Sequence, residues 1–179
     1  MERNLVLIAL FAALIAALGL IPKFDLASGV PISAQSLGVM LCGTVLGAKR
    51  GALAVLLFLA LVALGLPLLA GGRGGLGVFS GVTFGYLIGF PVGAFVTGYL
   101  ADSWRARGGW IFTSVAAFVG CVVVLNVLGI IGMSIKLDKT LAEATLLATP
   151  FIPGDVVKCV LAGLMTQALF KARPALFRS

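Results

Sequence analysis

The sequence predicts an all-α integral membrane protein: one bundle of six transmembrane helices over residues 1–179, with both termini in the cytoplasm. Three observations carry this expectation. Hydrophobic residues make up 61% of the chain against 11% charged, with a mean hydropathy of +1.19, so the lipid bilayer must be the main solvent. Apolar runs occur at 4–22, 33–48, 50–71, 78–101, 109–133 and 152–171, split by Pro, Gly or charge. Lys and Arg also fall unevenly between alternate loops. With the N-terminus inside, the inner side carries Arg3, Lys49, Arg50, Arg105, Arg107, Lys171, Arg173 and Arg178, whereas the outer side carries Lys23, Arg73, Lys136 and Lys139. Short basic loops stay cytoplasmic.

The first run follows a charged start but has no polar region leading to a cleavage site, so it reads as a retained helix and not a signal peptide. Ala9, Ala13 and Ala17 form a small-residue stripe on it, with Ala12 and Ala16 beside it. The second run is short, and is expected to be tilted or partly broken. The third ends at Gly71-Gly72-Arg73-Gly74-Gly75, which looks like a phosphate cradle, yet the chain contains no G-x-x-x-x-G-K-[ST]. Any active transport must therefore draw on another subunit or on an ion gradient. The fourth run carries Gly77, Gly81, Gly85, Gly89 and Gly93 at intervals of four, a face open to close helix packing or to a partner. Between the fifth and sixth runs, residues 140–149 are too few to cross and are expected to form a short interfacial helix.

Several function classes fall away. The net charge of +7 suggests nucleic acid, but the basic residues stand singly or in pairs without interleaved aromatics, so no nucleic-acid partner is expected. Cys42, Cys121 and Cys159 are odd in number and lie in apolar segments, as small buried side chains do. The absence of histidine removes H-E-x-x-H zinc sites and histidine-based triads, and no enzyme activity or metal is expected.

The groups able to recognise a solute centre on Pro153-Gly154-Asp155-Val156-Val157-Lys158, which sets an acid and a base three apart on one face of the sixth helix. Asp155 could merely cap the helix start, with Lys158 pairing to it. Against this, Lys158 lies six residues past Ile152, about 9 Å into the helix. An ion pair buried at membrane depth with no other task costs several kcal/mol of desolvation, about what a hydrophobic pair would avoid. Such a pair is a functional-site candidate. On the same outer half lie Ser33 and Gln35, Arg73, Thr83, Tyr86 and Asn126. Each also has a plainer reading: a solvated loop residue for Arg73, back-bonding to its own helix for Thr83, interhelical glue for Asn126.

These motifs, Val30-Pro31-Ile32-Ser33-Ala34-Gln35, Gly71 to Gly75, Gly81-Val82-Thr83-Phe84-Gly85-Tyr86 and Pro153 to Lys158, together resemble the BioY family, the biotin-capturing S components of energy-coupling-factor (ECF) vitamin transporters. The resemblance spans nearly the whole chain, with two departures: Ser33 stands where the family usually has Thr, and Val82 where it has Pro. The resemblance implies a bacterial cytoplasmic-membrane protein binding biotin on its outer face, with biotin as transported ligand and no cofactor. It also implies docking through the small residues of the first helix, Ala9, Ala13 and Ala17, onto a transmembrane coupling subunit driven by two ATP-binding subunits. Asp155 suits the ureido N–H donors of biotin, because a carboxylate only accepts. Lys158 and Arg73 are both candidates for the ureido oxygen or the ligand carboxylate.

Overall fold

The computed structural model describes residues 2–25, 29–104 and 108–173. Arg105, Arg107, Arg178 and the C-terminus, which the orientation argument uses, lie outside them. The helices are α1 (Glu2–Leu18), α2 (Gln35–Leu46), α3 (Ala48–Ala63), α4 (Phe84–Trp104), α5 (Trp110–Phe118), α6 (Leu125–Leu137), α7 (Leu141–Ala148) and α8 (Phe151–Ala172). A π-helical turn, Val119–Val124, joins α5 and α6 into one rod, Trp110–Leu137. Two short strands, β1 (Phe24–Asp25) and β2 (Pro31–Ile32), pair antiparallel before α2.

Three of these elements are long and apolar enough to cross a bilayer by themselves: α4, the α5–α6 rod and α8. Helix α1 has 17 residues, α3 has 16 and α2 only 12, so α2 rises about 18 Å against a hydrocarbon core of about 30 Å. Six crossings therefore need flanking loop residues to complete the shorter helices. Helix α3 stops at Ala63, ahead of the sequence-based limit of 71, and the chain turns at Gly65, whose φ of 104° suits glycine. The short helix expected within 140–149 forms as α7. Thr140 caps it, its hydroxyl oxygen accepting from the Glu143 N–H at 3.3 Å while the Glu143 carboxylate accepts from the Thr140 N–H at 2.9 Å.

The bundle is apolar on its outside, as a chain dissolved in lipid must be. On α4, Ile88, Val92, Phe95 and Tyr99 are exposed at steps of four, three and four, which is one helical face. A neighbouring face packs on the rod. A Cβ on Gly85 would run into the Leu128 carbonyl and Gly132, and one on Gly93 would sit 2.9 Å from the Gly120 carbonyl. The expected five-glycine stripe is corrected here. Gly77 belongs to a 3-10 turn, Leu76–Ser80, and Gly81 precedes α4, so only Gly85, Gly89 and Gly93 share the helix face. That face is spent on internal packing. The cysteines Cys42, Cys121 and Cys159 are free and buried.

Helix α2 runs through the centre, and only Ser36 and Leu37 of its residues are not buried. Its start is tied down by Gln35, 2% exposed. The Gln35 amide donates to the carbonyls of Ile15 at 3.2 Å and Leu68 at 3.0 Å, and its oxygen accepts from the Ala70 N–H at 2.9 Å. One side chain thus joins the end of α1, the start of α2 and the loop after α3. Gln35→Leu should destabilise the protein by about 1–3 kcal/mol for each backbone group left unpaired. The check is thermal unfolding in detergent, where an unchanged midpoint would contradict the role.

Candidate ligand-binding site

The local reason for the site is that α8 starts at Phe151, so Asp155 lies one turn inside it and Lys158 nearly one turn further, both on the face turned to α2. Asp155 is therefore not the helix cap: Pro150 occupies that position, with no side-chain capping bond. The Lys158 ammonium donates to Asp155 Oδ1 at 3.0 Å, to Ser36 Oγ at 2.9 Å and to the Ser33 carbonyl at 2.8 Å. The Ser36 hydroxyl donates to the same Asp155 Oδ1 at 3.2 Å. An ammonium has three protons, so all the donor capacity of Lys158 is committed. Asp155 keeps its second carboxylate oxygen, Oδ2, without a hydrogen bond among the described residues.

Around this pair lies a cavity of about 70 Å³, lined by the segment 30–36, the loop 69–73, Thr83, the first half of α4, Leu125 of α6 and α8. Arg73, Thr83, Tyr86, Asp155, Lys158 and Gln35 all reach it. Arg73 is placed by the loop: Leu69 and Arg73 exchange backbone hydrogen bonds of 3.0 and 3.2 Å, and Gly71 and Gly72 adopt positive φ to close the turn. Its Nε donates to the Ala70 carbonyl at 3.2 Å, while its terminal nitrogens make no hydrogen bond among the described residues. Thr83 sits just ahead of α4, where its hydroxyl is not bonded back to the helix, and it is 7% exposed.

Two expected residues are held chiefly by partners within the protein. Gln35 borders the cavity, but both of its N–H groups are consumed by backbone carbonyls, so it positions α2. Asn126 does not line the cavity. It stands behind Tyr86, donating to the Val122 carbonyl at 2.8 Å and accepting from the Tyr86 hydroxyl at 3.5 Å. Ser36, which joins the ion pair to α2, is a residue that the sequence did not single out. Its only signal is a second hydroxyl, three positions after Ser33 and in the first turn of α2.

The cavity is well below the roughly 300–1,000 Å³ of small-molecule pockets, so a ligand of that class requires side chains such as Arg73 and Phe151 to move. A larger cavity, about 320 Å³, opens farther along α8 among Thr44, Trp104, Phe112, Thr166 and Lys171. Its buried polar groups are a hydroxyl pair, Thr166 to Thr44 at 2.8 Å, and it has no buried ion pair to orient a solute. The chemistry favours the smaller one. Charged acceptor, free guanidinium nitrogens and an unbonded hydroxyl converge there on walls of Leu69, Leu87, Phe90 and Phe151, which suits a small solute with N–H donors, an apolar body and an anionic end.

On the first helix, Ala9, Ala13 and Ala17 are exposed, whereas Ala12 is buried. The stripe thus faces outward from the bundle.

Comparison with known proteins agrees with this geometry. The chain is 50% identical to the biotin transporter BioY of Rhodobacter capsulatus, over 98% of this chain and 97% of that protein. It is 38% identical to the probable biotin transporter BioY of Bacillus subtilis, over 90% and 89% respectively. Its fold superposes on the crystal structure of the S-component for biotin from an ECF-type ABC transporter with a TM-score of 0.90, at 31% identity, covering 95% of this chain and 92% of that one. The sequence model described as the BioY family matches residues 2–175. This membrane protein belongs to the BioY family.

Proposed function

We propose that the chain is a biotin-capturing S component: it binds biotin at the outer face of a bacterial cytoplasmic membrane and hands it inward when docked on partner subunits energised by ATP. The observation that carries this reading is the buried Asp155–Lys158 pair, 3.0 Å apart and opening onto a cavity with Arg73. Because the Lys158 protons are already committed, Asp155 Oδ2 takes a ureido N–H and Lys158 holds that carboxylate in place. The terminal nitrogens of Arg73 are left for the valerate carboxylate, where a guanidinium can bond bidentately. Thr83 supplies a hydroxyl, and the apolar walls hold the thioether ring. The chain crosses the membrane six times with both termini inside, and this sets the cavity on the outer side. The basic residues support that sidedness: Arg3, Lys49 and Arg50 gather in one depression, while Arg73 belongs to the opposite, cavity end. With no P-loop in the chain, accumulation depends on a coupling subunit and ATP-binding subunits.

The test is equilibrium binding to the purified chain. Biotin should bind or co-purify, and liposomes holding the chain alone should not concentrate it on a proton gradient. A chain that ignores biotin refutes the ligand, and gradient-driven accumulation refutes the dependence on partners.

A further inference from the structure

We infer that Gly129 is a specificity-determining position: it gives the Tyr86 ring a notch to withdraw into, and so sets the width of the cavity where the ring end of the ligand lies. The inference rests on the biotin reading above. Tyr86 is 9% exposed and forms part of the cavity wall. A Cβ at Gly129 would overlap the ring at Cδ1, Cε1 and Cζ. Gly129 lies inside α6 and is not among the described residues of positive φ, so no backbone conformation requires glycine there. Glycine in a helix interior costs stability relative to alanine. Space for the ring is what it provides.

Two further neighbours hold the ring. Phe151 packs against it with centroids 5.8 Å apart and planes tilted by 48°. Asn126, one turn before Gly129 on the same helix, accepts from the Tyr86 hydroxyl at 3.5 Å, and its own amide is oriented by the Val122 carbonyl at 2.8 Å. Val122 belongs to the π turn, so the tether is anchored where the rod changes register. A ring pushed out of the notch has the cavity as its open side. Phe151 and Asp155 are one turn apart on one face of α8, which places the ring beside the carboxylate that takes the ureido group. Asn126 is a positioning residue in this arrangement, since it touches Tyr86 and not the cavity.

The experiment compares biotin with desthiobiotin, which keeps the ureido ring and carboxylate chain but lacks the second, thioether ring. A methyl at 129 forces overpacking, so Gly129→Ala should weaken biotin binding by about tenfold or more. Desthiobiotin should lose much less, so the preference for biotin falls. Asn126→Ala removes the tether but no cavity-lining atom, and should shift the preference in the same direction. It serves also if Gly129→Ala does not fold. A merely structural role would weaken both ligands in parallel. A parent that binds biotin, with variants whose preference is unchanged, overturns the notch; a parent that binds neither ligand overturns the biotin reading and the notch with it.

Discussion

Lys158→Met should lower the affinity for biotin by about 100-fold or more and also lower the unfolding temperature. The reason is arithmetic on one ammonium. Lys158 satisfies Asp155, Ser36 and the Ser33 carbonyl at once, and its removal leaves a carboxylate buried without its cation, a change that typically costs about 3–5 kcal/mol. The stability and binding effects separate in a double variant. Asp155→Asn/Lys158→Met removes both charges, so it should melt closer to the parent than Lys158→Met does. It should still fail to bind, because a neutral acceptor replaces a charged one and charge-assisted bonds are roughly twice as strong. Asp155→Asn alone should bind weakly while disturbing α2 less, since Lys158 keeps Ser33 and Ser36. Isothermal titration and thermal melts on the three variants check this. Parental affinity in Lys158→Met would remove the pair from the site, and a double variant that melts no higher than Lys158→Met would show that the single loss is not an orphaned charge.

What the sequence made legible, and what it hid, divides along the range of the interactions. The apolar runs follow from local composition, and the acid and base of the sixth run meet because three residues along a helix is a near-neighbour distance. Ser36 was hidden because its partners are 119 and 122 positions away, and nothing local marks a serine for them. Gln35 was visible as a polar residue at membrane depth, but its partners are the backbone groups of Ile15, Leu68 and Ala70, which any sequence has. The glycine repeat misled for a related reason: spacing by four continues through Gly77 and Gly81, while the start of α4 is fixed by the chain turning after the 3-10 segment. Asn126 stayed open between two roles because an amide can serve a helix or a ligand equally well, and only its placement behind Tyr86 tells them apart.

Ala13→Trp should separate partner assembly from ligand capture. Ala13 lies near the middle of α1, with Ala9 one turn before it and Ala17 one turn after, and all three are exposed. The inward face of the same helix is spent on the core through Leu7, Phe11, Ala12 and Ile15. A tryptophan at 13 therefore points away from the bundle and meets none of the cavity residues, which belong to segment 30–36, the loop 69–73, Thr83, α4, Leu125 of α6 and α8. A helix surface of alanines lets another backbone approach closely, and dispersion falls steeply once a gap of about 0.5–1 Å opens. The isolated variant should thus hold biotin as the parent does, while co-purification of a coupling subunit with its ATP-binding subunits, and uptake in cells, should be lost. The conservative Ala13→Ser, small and tolerated at helix contacts, should retain both. If Ala13→Trp instead loses ligand binding while the partner still co-purifies, the stripe supports the bundle itself, and the docking surface must lie on another face.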